Sequence, residues 1–159
     1  MEVEIFGNLR TNSRLEACLQ NIRNGFASGN TPFLAQEGTS GSYILKGPGD
    51  DSEAIAVFKP IDEEPFAPNN PRGMQAPFGT ETCRPGVKSG ESTIREIFAY
   101  LLDHDGFAGV PLTTFVEVTH PELPSQPVSF DQVTSEEYRN LISGLVPLKG
   151  SSLMPKPSN

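Results

Sequence analysis

Residues 37–59 read EGTSGSYILKGPGDDSEAIAVFK: a glycine turn, a strand, a polar hairpin and a second strand that ends on a lysine. Gly38 and Gly41 bracket Thr39 and Ser40. Glycine has no Cβ to block a close approach and accepts positive φ, so such a turn can bring backbone amides up to an anion. The run AIAVFK alternates as a half-buried strand does. With a side-chain period of two, Ile55, Val57 and Lys59 share one face, and Ala54, Ala56 and Phe58 share the other. A lysine closing an apolar face beside a glycine turn suits phosphate binding. The same stretch also reads as a plain structural hairpin with a charged tip, and these residues alone leave both readings open.

The 159 residues fit one ordinary domain. Gly and Pro number 15 each, which predicts many turns and long connections. The formal charge of −8 argues against non-specific nucleic-acid binding and against docking by a broad basic patch on anionic lipid, while leaving room for a local basic or apolar membrane contact. Cys18 and Cys83 have no CxxC spacing, so neither a disulfide framework nor a structural zinc site is expected. His104 and His120 lack a second ligand at metal spacing and read as surface or loop histidines; no metal ligand is assigned. With no N-terminal apolar signal segment and no run of 18 apolar residues, the sequence reads as cytoplasmic.

Outward from the hairpin, Ser13-x-x-Glu16 matches a capping box, and Leu15, Cys18, Leu19, Ile22 and Phe26 recur at helical spacing. This predicts a helix over about 13–24, with Gly25 as its C-terminal cap and Cys18 on its packing face. Strands are expected at about 41–46 and 54–59, with a short extended lead-in at VEIF. Residues 60–90 hold six prolines, which forbid a long regular element. Their acidic group, Asp62, Glu63 and Glu64, reads more simply as a solvated turn than as acid–base groups or metal ligands. The clearest helix is STIREIFAYLLD, 92–103, with an apolar stripe of Ile94, Ile97, Phe98, Leu101 and Leu102. Glu96 lies on the edge of that stripe. It is free to meet Lys59 or is engaged in a Thr93-x-x-Glu96 capping box; the sequence leaves the two open. Residues 109–118 alternate as a strand, with Leu112, Thr114, Val116 and Val118 on one side. A last capping box, Thr134-x-x-Glu137, precedes a short helix that ends near Gly144.

The succession GTSGSY, AVFKP, DEEP, NNPRG, GESTIREIFAYLLD and FAGVP resembles type II phosphatidylinositol 4-kinases, the plant gamma-type branch above all, over about residues 14–120. The resemblance implies an α+β, protein-kinase-like N-lobe: a twisted antiparallel sheet with flanking helices. It implies the division 1–36 (lead-in and helix), 37–120 (N-lobe) and 121–159 (connection, short helix and tail). ATP would lie under Gly38, Thr39, Ser40, Gly41 and Ser42, with the adenine on Val57. Lys59 would bind the phosphates and pair with Glu96, the two together forming the catalytic element of this half. Glu64, Pro65 and Phe66 match the segment assigned to substrate binding, and residues near 74–85 the membrane-contacting insert. Only Cys83 stands where relatives carry an acylated cysteine cluster.

The implied reaction transfers phosphate from ATP to the inositol 4-hydroxyl of phosphatidylinositol, at a membrane surface in the intact enzyme. Nothing after Lys59 reads as D-R-x-x-x-N or as the later acidic motif for Mg. The expectation is therefore an N-lobe with the C-lobe and the Mg ligands absent, inactive alone. Two other readings remain: a non-catalytic, truncated or degenerate kinase acting as a binding module, and a protein serine/threonine kinase in an intact form.

Overall fold

A computed structural model describes residues 2–5, 13–49 and 53–123. The elements run β1 (Glu2–Ile5), α1 (Ser13–Ala27), β2 (Phe33–Leu34), β3 (Tyr43–Lys46), β4 (Ala54–Phe58), α2 (Ser92–Leu102) and β5 (Val116–Thr119). Short 3-10 turns cover Ile61–Glu63 and His104–Gly106. The class is α+β. Strands β2, β3 and β4 form an antiparallel sheet in that order, and β1 pairs antiparallel with β5. The helix read in 134–145 and the tail lie outside the described residues. Among the described residues, no helix is long and apolar enough to cross a membrane.

One core joins α1 to the sheet. Leu15, Leu19, Ile22 and Phe26 fall on one face of α1 and bury against Tyr43 and Leu45, the inward positions of β3. Ala56 and Phe58 of β4 and Val116 and Val118 of β5 pack on the same cluster. Each fully buried aliphatic or aromatic side chain there contributes roughly 1.5–3 kcal/mol. Cys18 sits half-buried on this helix, where burial pushes its thiol up. His120 lies in the loop after β5, one of the two placements expected, but it is not at the surface: it is buried, its ring 5.0 Å from that of Phe26 and tilted 50° to it, and burial pushes its imidazole down.

Helix α1 runs three residues past its expected end, and Gly25 is not its cap. Gly29, at φ 96°, takes the left-handed position instead. The Asn30 amide donates to the Gly25 carbonyl (3.0 Å) and the Gly29 amide to the Phe26 carbonyl (3.1 Å), the paired bonds of a Schellman motif. Gly25 is buried within the helix because a Cβ there would collide with the backbone carbonyl of Lys46. Its value is close approach, not positive φ.

Strand β5 is shorter than the alternating run 109–118. Gly109 takes φ 66°, Pro111 has no amide to give a ladder, and β1 offers pairing only to Val116–Thr119. Before it, the Asp103 carboxylate accepts the Ala108 amide (2.8 Å) and the Val110 amide (2.9 Å), which close the turn after α2. Those bonds hold the carboxyl below the usual aspartate range.

Helix propensity alone would make Gly25→Ala stabilising by about 1 kcal/mol. The contact with Lys46 reverses the sign. Urea denaturation of Gly25→Ala is expected to show a loss of roughly 1–3 kcal/mol; a gain would refute the close approach.

Candidate functional site

Register places the apolar and charged parts of the site at one end of the sheet. Phe33 pairs with Ile44, and Ile44 with Val57, so the three form a cross-strand row. Ala56 and Phe58 face α1. Val57 therefore points to the opposite face, where it is 56% exposed, as is Phe33. Tyr43 is opposite Phe58, so Ser42 and Lys59 are the next residues out at the same end. The turn that carries Gly38 to Ser42 thus ends beside the strand that carries Lys59. Phe33 and Ile44 were missed from sequence; only the pairing register reveals them.

Lys59 Nζ donates to Glu96 Oε1 at 2.5 Å. This decides the alternative left open for Glu96. The Thr93-x-x-Glu96 box does not form, because the Thr93 amide and hydroxyl are both taken by Glu64. The pair is not buried: the two side chains are 44% and 48% exposed. Water screens it, and its direct contribution to stability is about 0.2–1 kcal/mol. Val57, Lys59 and Glu96 also border a cavity of about 1350 Å³ between β4, α1, α2 and the segment leading into β5. The glycine turn does not line it.

The acidic turn is the main departure from the sequence reading. Glu63 and Glu64 are not solvated; they are 1% and 3% exposed. Glu64 Oε2 accepts the amides of Gly90 (2.8 Å) and Ser92 (3.1 Å), and Oε1 accepts the Thr93 amide and hydroxyl (both 2.7 Å). A carboxylate at the first turn of a helix satisfies orphan amides and faces the positive end of the helix dipole. Pro65 is half-buried, and Phe66 takes φ 62°, its amide donating to the Met74 carbonyl (2.9 Å).

Glu63 Oε1 and Oε2 accept the Tyr43 hydroxyl at 3.1 and 2.9 Å. Burial, with Asp62 adding to it, pushes its carboxyl up to about 7, against the opposing Tyr43 bond. Burial and the Glu63 carboxylate raise the Tyr43 phenol in turn. The Glu63 carbonyl accepts the Gly41 amide (2.9 Å), and a Cβ on Gly41 would run into the Glu63 side chain. Gly41 is therefore glycine for packing, and its amide is not available to a phosphate. Among the described residues, the Thr39 and Ser40 amides donate no hydrogen bond.

Asn70, fully buried, ties these parts together. Its amide donates to the carbonyls of Thr39 (2.8 Å), Glu63 (3.1 Å) and Glu64 (3.1 Å). Its oxygen accepts the Arg72 and Met74 amides, and Arg72 reaches the Ala35 carbonyl at the end of β2. Residues 79–89 fold back as a tight hairpin with Cys83 exposed. No cluster of three or more His, Cys, Asp or Glu able to hold a metal occurs among the described residues.

Comparison with known proteins matches this sequence to plant proteins. A protein named phosphatidylinositol 4-kinase gamma 4 of Arabidopsis thaliana is 43% identical over 115 residues, covering 65% of this chain and 20% of that protein. One of the same name from Oryza sativa subsp. japonica is 36% identical over 124 residues, 72% of this chain and 22% of its own length. This chain is related to the plant gamma-type phosphatidylinositol 4-kinases. Phosphatidylinositol 4-kinase gamma 3 of Arabidopsis thaliana is likewise 38% identical over 120 residues. The match spans about a fifth of the length of these relatives. No family model and no solved structure matches the chain.

Glu63 supplies a pH test. Unfolded, it titrates near its ordinary 4.5; folded, near 7. Between these values the folded chain keeps a proton that the unfolded chain has lost, so stability falls as pH rises. The contribution is fully present below about pH 4.5 and gone above about pH 7, a change on the order of 3 kcal/mol. Denaturation at pH 5 and pH 8 is expected to show this decline in the wild type and a flatter profile in Glu63→Gln, which still accepts from Tyr43. An equal slope in both would contradict the buried, protonated carboxyl.

Proposed function

We propose that these residues are the nucleotide-gripping part of an ATP-dependent lipid kinase, a protein-kinase-like N-lobe. The intact form would phosphorylate phosphatidylinositol at its 4-hydroxyl at a membrane surface. The observation that carries the reading is the Lys59–Glu96 pair, set at the sheet end where the glycine turn finishes. Homology to proteins named phosphatidylinositol 4-kinase gamma supports it.

The residues fit a nucleoside triphosphate in three ways. Phe33, Ile44 and Val57 make an apolar row of the kind that covers a planar base. Lys59, its ammonium oriented by Glu96, is the cation placed beyond that row for phosphate oxygens. Gly38 at φ 99° keeps the Thr39 and Ser40 amides in a turn that can meet an anion. ATP, when bound, would supply the phosphoryl group for transfer. Pro65 and Phe66, beside the buried Glu64, are the remaining candidates for contact with the lipid substrate, and the hairpin around Cys83 for contact with the membrane.

Equilibrium binding of a fluorescent ATP analogue tests the grip. Lys59→Met is expected to weaken binding about tenfold or more, the loss of a charge-assisted contact, and Val57→Asp to weaken it by burying a carboxylate against the base. Binding that survives both substitutions unchanged would reject this reading and favour a module that engages a partner elsewhere.

A further inference from the structure

We infer that Glu64 is a positioning residue: it clamps the N-terminus of α2 and thereby sets Glu96 against Lys59. This rests on the nucleotide-gripping reading for its purpose, though not for its geometry.

The argument begins with acceptor capacity. A carboxylate has about four lone-pair sites. Glu64 fills them with the Gly90, Ser92 and Thr93 amides and the Thr93 hydroxyl, while nine-tenths or more buried. No acceptor position remains for an outside ligand. Conventional capping of α2 is lacking, since Glu91 at its start makes no side-chain cap bond. Glu64 is that cap, delivered from 28 residues away in sequence.

The consequence is a closed ring of short links. Lys59 is joined to Glu64 through Pro60 and the 3-10 turn Ile61–Glu63, whose Glu63 amide bonds the Pro60 carbonyl at 3.2 Å. Glu64 holds Thr93; one turn along the same helix face stands Glu96, which returns to Lys59. Two stiff segments and two polar contacts leave the ammonium and carboxylate little freedom to separate. Asn70 extends the ring to the glycine turn by bonding both the Glu64 and the Thr39 carbonyls. A half-exposed ion pair is weak alone, and the ring supplies the orientation that its own energy does not.

The test reads Lys59 directly, without nucleotide. Lysines of the whole chain are acetylated with limiting acetic anhydride and quantified by mass spectrometry, with exposed Lys46 as internal reference. Glu96→Gln is expected to speed Lys59 labelling roughly threefold, the scale of a half-exposed pair. Glu64→Gln should speed it as much, and the double variant no further. Thr93→Val, which removes only the hydroxyl bond, should give a smaller rise, and Thr93→Ser should restore the wild-type rate. If Glu64→Gln unfolds the chain, its helical circular-dichroism signal is lost, and the Thr93 pair then decides. Unchanged Lys59 labelling in Glu64→Gln or in Thr93→Val, or additive effects with Glu96→Gln, would overturn the inference. The same variants with the ATP analogue separate the two claims. A labelling response without any wild-type ATP binding would reject the proposed function and keep the clamp.

Discussion

Burying two adjacent carboxylates is the constraint on which the rest of this structure depends. An ionised carboxylate taken out of water must be paired, hydrogen-bonded or protonated. Glu63 and Glu64 meet the demand differently. Glu64 collects the donors at the start of α2, whereas Glu63 has one hydroxyl and an elevated titration point. Glu63 is tied to β3 through the Tyr43 hydroxyl and to the glycine turn through its own carbonyl, which accepts the Gly41 amide, so the acidic turn fixes the glycine turn on one side and the helix on the other. Asn70 keeps the two carboxyl-bearing residues in register by bonding both of their carbonyls.

That arrangement explains how an exposed ion pair can matter. Lys59 and Glu96 are each about half in water, so their mutual attraction is screened and small. Their value lies in orientation. The strand delivers Lys59 beyond the row of Phe33, Ile44 and Val57, and α2, held at its start, delivers Glu96. The cleft side stays open while the structural bonds are hidden behind it, which suits a surface that must admit a ligand.

Much of this was legible in the sequence wherever periodicity carries the signal. Strict alternation in AIAVFK put Val57 and Lys59 on one face, and the apolar stripe of α2 put Glu96 at its edge. Both β3 and β4 form within the stretches read as strands, but β3 begins only at Tyr43, leaving Gly41 and Ser42 in the turn, and β4 ends at Phe58. Long-range contacts were not legible. Gly25 has the look of a helix cap, and only the proximity of Lys46 shows why it is interior. The acidic turn looked solvated because its partners, Tyr43, Gly90, Ser92 and Thr93, are 20 to 29 residues distant across proline-rich chain. The run before β5 alternates well, yet pairing requires a partner strand, and β1 matches only four residues.

Site-resolved amide hydrogen exchange addresses the shared hub most directly. If one buried unit holds both the glycine turn and the start of α2, the amides of Gly41, Gly90 and Thr93 open together, with one common free energy that Asn70→Ala lowers at all three. Exchange of Gly41 on its own, with Gly90 and Thr93 unaffected by that substitution, would contradict it.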